Sequence, residues 1–311
     1  MRKLILSIVA VMASVTLWAQ DLTALYNEGA AAFGKKDFVT AIAKFAEVVE
    51  LGEDSEDAEE LVGNAGKNLS ICYLKMAVAN ARDQKFDDAL STCDKGIAVS
   101  QKHNKVQVNK FKALIASVCQ AKGAALLNEK NYEEAAKTLA QGLECRPSNV
   151  KLQSLLARCY CDSDKFVEGM ELYEQVAKND NPKYAADVEA AKKDMALYTN
   201  NQIAKMQQAG DFDGMLAMAE SMLAKNAESA LGMNIRLQAY NGKKDFNKVI
   251  ELAEATAAAQ VEAEDKSQIY FLLGMAYNEK KMPEQAVAAF SKVTAGPNVQ
   301  NAQAAIAGLK K

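Results

Sequence analysis

Histidine is nearly absent from this chain: His103 is the only one, among 311 residues. With one imidazole, Ser-His-Asp and Cys-His catalytic arrangements have no support. No Gly-rich phosphate loop and no His-Glu-x-x-His segment occurs, which removes the common nucleotide and zinc-hydrolase signatures. There are 4 Pro against 16 Gly, and aromatics make up 7%. No run of alternating β-branched residues occurs. Charge is nearly balanced at −3, which is not the basic footprint of a nucleic-acid binder. An enzyme is not expected, and neither is a cofactor or a metal site.

Half of the residues are apolar, and Ala, Leu, Lys, Glu and Gln dominate, all strong helix formers. An all-α chain follows. Residues 1–19 have the pattern of a secretory signal peptide: Arg2 and Lys3, then an uncharged apolar stretch from Leu4 to Trp18, then Ala19. That stretch falls short of the roughly 20 residues that span a bilayer. Leu17 is a poor residue at the −3 position, which leaves the cleavage point open. No cysteine follows the apolar stretch before Cys72, so a lipoprotein is not expected. The expectation is an exported chain, periplasmic or associated with an outer membrane, with no span after residue 19.

The rest of the chain repeats itself. An aromatic recurs after a short polar turn at Phe38, Phe86, Tyr132, Phe166, Phe212 and Phe246, and Pro283 holds the seventh position. Successive separations are 48, 46, 34, 46, 34 and 37. Three residues after this marker stand Ala41, Ala89, Ala135, Gly169, Met215, Val249 and Ala286. Nine before it stand Gly29, Ala77, Gly123, Ala157, Ile203, Leu237 and Gly274. The last repeat reads Tyr270-x2-Leu273-Gly274-x2-Tyr277…Ala286-x3-Phe290. This spacing resembles a tetratricopeptide repeat, with Tyr in place of the usual Trp. The resemblance implies pairs of antiparallel helices whose small residues meet, stacked into a right-handed α-solenoid, because one pair cannot bury its own apolar face.

Seven repeats are expected at 22–55, 70–103, 116–149, 150–183, 196–229, 230–263 and 267–300, followed by a capping helix over 298–311. Residues 56–69, 104–115 and 184–195 are extra; they are helix-compatible and read as added turns on the following helix, with Ser55 and Asn104 as N-caps and a separate short helix as the alternative. Repeats five and six place large residues at both small positions, which predicts wider helix spacing or a different pairing there. No linker divides the array, so one continuous superhelix is expected, with the inserts as its possible points of division.

The six cysteines are Cys72, Cys93, Cys119, Cys145, Cys159 and Cys161. An even number in an exported chain permits disulfides, and Cys72 or Cys119 pairing with Cys93 is conceivable across packed helices. Cys93 shares a column with Phe45, Leu139 and Phe290, and Cys159 one with Ala31, Ala79, Ala125, Ala239 and Ala276. Those columns favour buried thiols acting as small apolar residues. The acidic run Glu50, Glu53, Asp54, Glu56, Asp57, Glu59 and Glu60 reads as a solvated helix start, with a docking patch for a basic partner as the alternative.

In the resembled family the first helix of each repeat lines the binding groove. The matching positions give Asn128 in repeat three and Lys151 and Arg158 in repeat four. Repeat five gives Asn200, Asn201 and Gln207, and repeat six gives Asn234, Gln238 and Asn241. Amides both donate and accept hydrogen bonds, so this lining suits the backbone of an extended peptide or the hydroxyls of a glycan. The expected function is a non-enzymatic protein-interaction scaffold of the bacterial cell envelope. A peptide- or glycan-binding module and an outer-membrane assembly factor are the alternatives.

Overall fold

The computed structural model describes residues 21–310, and the expected signal peptide lies outside them. Every regular element among the described residues is helical. The chain divides into two compact units, one ending at Ser163 and the other beginning at Asp164. The division falls inside the fourth expected repeat, between its two helices, and not at an insert.

The N-terminal unit holds α1 (21–34), α2 (Phe38–Gly52), α3 (Glu59–Arg82), α4 (Phe86–His103), α5 (Lys105–Asn128), α6 (Tyr132–Cys145) and α7 (Val150–Asp162). The C-terminal unit holds α8 (Phe166–Ala177), α9 (Ala185–Ala209), α10 (Phe212–Lys225), α11 (Ala230–Gly242), α12 (Phe246–Ala259), α13 (Ala263–Glu279), α14 (Pro283–Ser291) and α15 (Val299–Leu309).

One turn recurs through both units. The residue two before each marker is left-handed, with φ between 58° and 67° at Lys36, Gln84, Lys130, Asp164, Gly210, Lys244 and Lys281. Around Lys36, the Lys36 N–H donates to Phe33 O at 2.9 Å and the Asp37 N–H to Ala32 O at 3.0 Å. This is a Schellman stop, which satisfies carbonyls orphaned at a helix end. Only one of the seven left-handed residues is glycine. The next residue then caps the second helix: Asp37, Asn131, Asp211 and Asp245 each accept a backbone N–H through the side chain. Thus three consecutive residues end one helix, reverse the chain and start the next.

The small residues make room for large ones. A Cβ on Gly123 would stand 2.4 Å from a methyl of Leu139, and one on Gly274 would stand 2.6 Å from the Phe290 ring. Leu139 is fully buried and Phe290 nearly so. Repeats five and six reverse the sizes: Ile203 and Leu237 on the first helix have Ala219 and Ala253 at the buried filler positions of the second. In repeat five the helices also stand apart. α9 and α10 approach each other less closely than α3 and α4, α5 and α6, α11 and α12, or α13 and α14.

Most of each insert lies within a long helix, α3, α5 or α9, while residues 56–58 and 182–184 form short 3-10 turns ahead of α3 and α9. α3 and α5 have 24 residues and α9 has 25, against 13 in α7 and α11. Ser55 and Asn104 do not cap through their side chains. Asn104 is the single residue joining α4 to α5, and its carbonyl accepts the Gln107 N–H at 2.9 Å. The Ser55 carbonyl likewise accepts the Ala58 N–H at 3.1 Å. Backbone turns take the place of the expected side-chain caps. At the far end, Ala302 of α15 is buried with Ala286, Phe290 and Val293, and Ile306 and Leu309 pack against them.

Candidate functional site

The expected groove residues fall into two sets, one in each unit. In the N-terminal unit Asn128 ends α5, and Lys151 and Arg158 lie seven residues apart on α7, hence on one face. All three are exposed. Arg158 pairs with Asp162 one turn along its own helix at 3.5 Å. That pair offsets part of the positive charge on this face.

The C-terminal unit is more organised. Asn200 and Gln207 share one face of α9, while Asn234, Gln238 and Asn241 share one face of α11. Gln207 Nε2 donates to Gln238 Oε1 at 3.3 Å, and Gln238 Nε2 donates to Asn234 Oδ1 at 3.2 Å. The run crosses from the first helix of repeat five to the first helix of repeat six. It starts at exposed Gln207, passes half-buried Gln238 and ends at buried Asn234. Asn200 and Asn201 are exposed and Asn241 is half-buried. Amides fixed in this way present donors and acceptors in set directions, which lowers the ordering cost of binding. Arg236, between Asn234 and Gln238 in sequence, points away from the run, to Glu220 on α10 at 3.7 Å; residues two apart on a helix do not share a face.

Two further features bring together residues that lie far apart in the sequence. Residues Glu53, Asp54, Glu56 and Glu59 line a cavity of about 500 Å³ together with Val62 and His103. His103 is half-buried, and its ring covers Gly66, where a Cβ would meet it at 2.3 Å. It packs α4 against α3. Lys102 reaches Glu53 at 3.3 Å. No cluster of His, Cys, Asp or Glu among the described residues has the arrangement to hold a metal ion. The second feature is a convergence of thiols. Cys93 of α4 and Cys119 of α5 are fully buried in one core cluster, and Cys145 of α6 packs against it. Cys72 is buried separately, beside Phe45 and Leu69.

Such an array of capped helix pairs defines a helical-repeat protein. Two tetratricopeptide repeat family models match, over residues 126–192 and 267–295. The chain carries tetratricopeptide repeats over those residues. No curated protein sequence matches it. Among solved structures it is similar to a tetratricopeptide repeat protein from Parabacteroides merdae ATCC 43184, at 12% identity, 94% of this chain, 100% of that chain and a TM-score of 0.30. It is similar also to yeast Tom70, at 13% identity, 87% of this chain, 59% of that chain and a TM-score of 0.34. The TPR2AB domain of yeast Sti1, solved with pHSP90, matches at 12% identity, 79% of this chain, 100% of that chain and a TM-score of 0.32. These overlaps are too loose to carry further argument. No helix among the described residues is long and apolar enough to cross a membrane.

Proposed function

We propose that this chain is a non-enzymatic scaffold, exported to the bacterial cell envelope, that binds an extended segment of a partner protein along the first helices of its repeats. One observation carries the reading: the run Gln207–Gln238–Asn234, which links the first helices of repeats five and six through directed amides. An extended peptide offers alternating N–H and C=O groups, and a row of amides matches both. Export rests on the charged, apolar and small-residue pattern of residues 1–19.

The test is affinity capture after in-cell crosslinking, with a tagged chain beginning at Gln20. A parallel capture uses Gln207→Ala with Gln238→Ala. One dominant envelope protein, lost in the double variant, is the expected result. A partner retained by the double variant moves the contact elsewhere on the chain, and the absence of any partner overturns the scaffold reading. A glycan is the second reading, favoured by the same amides. A thermal shift with oligosaccharides, but with no peptide, would select it.

A further inference from the structure

We propose that Cys119 and Cys145 are a redox-modification site, two thiols positioned to close into a disulfide that staples α5 to α6. The two helices are antiparallel and joined by the turn at 129–131. Cys119 lies 13 residues before the marker Tyr132 and Cys145 lies 13 after it, so both sit at the end of the helix pair remote from the turn. Gly142 brings α6 against Cys119: a Cβ at Gly142 would stand 2.8 Å from the Cβ of Cys119. Cys119 Sγ also lies 3.8 Å from Gln141 Oε1. Cys145 is three residues on from Gly142, hence on the same face.

The direction of the side chains closes the remaining gap. On a helix each Cα–Cβ bond tilts toward its own N-terminus. Because the helices are antiparallel, Cys119 leans toward the end of α6 where Cys145 sits. Cys145 leans back toward Gly142, where Cys119 sits. A disulfide needs Cα atoms within about 7 Å and Cβ atoms that face each other, and this lean brings the two side chains toward that arrangement. The equivalent columns of repeat two hold Tyr73 and Val99, which pack against one common core cluster.

The two thiols differ in access and reactivity. Cys119 is fully buried and Cys145 is half-buried. Burial pushes Cys119 up to about 12, and the neighbouring Cys145 adds to the rise. Cys145 is raised as well, chiefly by burial, with Lys112 acting in the opposite direction. A small disulfide oxidant such as oxidised glutathione therefore meets Cys145 first. The Cys145 thiolate attacks one glutathione sulfur, forming a mixed disulfide and releasing one glutathione. Cys119 then loses its proton and attacks the Cys145 sulfur, and the second glutathione leaves. Two protein thiols are oxidised and one oxidised glutathione is reduced to two thiols.

The experiment incubates the reduced full chain with oxidised glutathione, alkylates the remaining thiols and maps peptides without reduction. The expected result is a link between the Cys119 and Cys145 peptides, four alkylatable cysteines of the original six, and a closure rate that rises with pH. Cys145→Ser abolishes the link, Cys93→Ala keeps it, and Cys119→Ala leaves glutathione on Cys145. Helical circular dichroism of each variant separates loss of the thiol from loss of the fold. A link joining any other pair, six alkylatable thiols after oxidation, or a Cys93→Ala variant that no longer closes overturns the assignment.

Discussion

Repeats three and five solve the same packing problem in opposite ways. In repeat three, Gly123 on the first helix receives Leu139 from the second, and the helices close to contact. In repeat five, bulk moves to Ile203 on the first helix, Ala219 takes the filler position, and α9 stands off from α10. The comparison teaches that total volume is not enough. A glycine removes side chain from the point of closest approach, whereas an alanine deeper on the other helix does not. Repeat six, with Leu237 and Ala253 both fully buried, keeps its helices closer than repeat five does. The size reversal alone therefore does not open a pair.

The largest effect expected is at the filler. Leu139→Ala should destabilise by about 2–5 kcal/mol, because the tight pair cannot collapse around the cavity. Ile203→Ala in the looser pair should cost less, about 2 kcal/mol. Urea unfolding of the two variants measures the difference, and equal losses would break the comparison.

Glycine sharpens it. Gly123→Ala would drive a Cβ into Leu139 and should cost about 1–3 kcal/mol. Gly63 lies inside α3 with open space where a Cβ would stand. Gly63→Ala should gain about 0.5–1 kcal/mol. Opposite signs in thermal melts are the expected outcome.

Capping comes next. Lys85 makes no side-chain cap, while Asp211 accepts the Gly214 N–H at 2.8 Å. Lys85→Asp should stabilise and Asp211→Ala destabilise, each by about 1 kcal/mol. At the left-handed position before the cap, Gly210→Ala should cost about 1 kcal/mol, and Lys130→Gly should gain about 0.5 kcal/mol after the entropy of the unfolded glycine is subtracted. Chemical denaturation of the four variants tests whether the turn is interchangeable among the three repeats.

The smallest effect is electrostatic. Lys292 holds Glu254 at 2.9 Å and lowers its pKa, with the Tyr270 hydroxyl assisting. Because the folded pKa is depressed, this stabilisation is present above the usual carboxylate value of 4.5 and is lost as pH falls through the lowered one. Glu254→Gln should lower the neutral plateau of a pH–stability curve slightly and flatten its acid limb there, and Lys292→Met should do the same.

How far the chain could be read from its residues alone depended on distance along it. The markers at Phe38, Phe86, Tyr132 and their successors announced where second helices begin, since the helix stop, reversal and cap are made by adjacent residues. Which candidate residues share a helix face was legible too, because the seven-residue spacing of Lys151 and Arg158, and of Asn200 and Gln207, fixes a face. The pairing of Gln207 with Gln238 was not, as it spans 31 residues and depends on how two helices are offset. Ser55 and Asn104 misled for a related reason: their residue types suit caps, but the carbonyls of these short joints had already taken the hydrogen bonds.

The sequence by itself determined an all-α chain of helix pairs, their turns and their small-residue contacts, because propensity, periodicity and capping act within a few residues. Only the tertiary structure decided which pairs close tightly, which amides join into a run, that His103 lies over Gly66, and that Cys119 and Cys145 lean toward each other. Those outcomes depend on the relative height and direction of packed helices, which repeat spacing constrains only to a face.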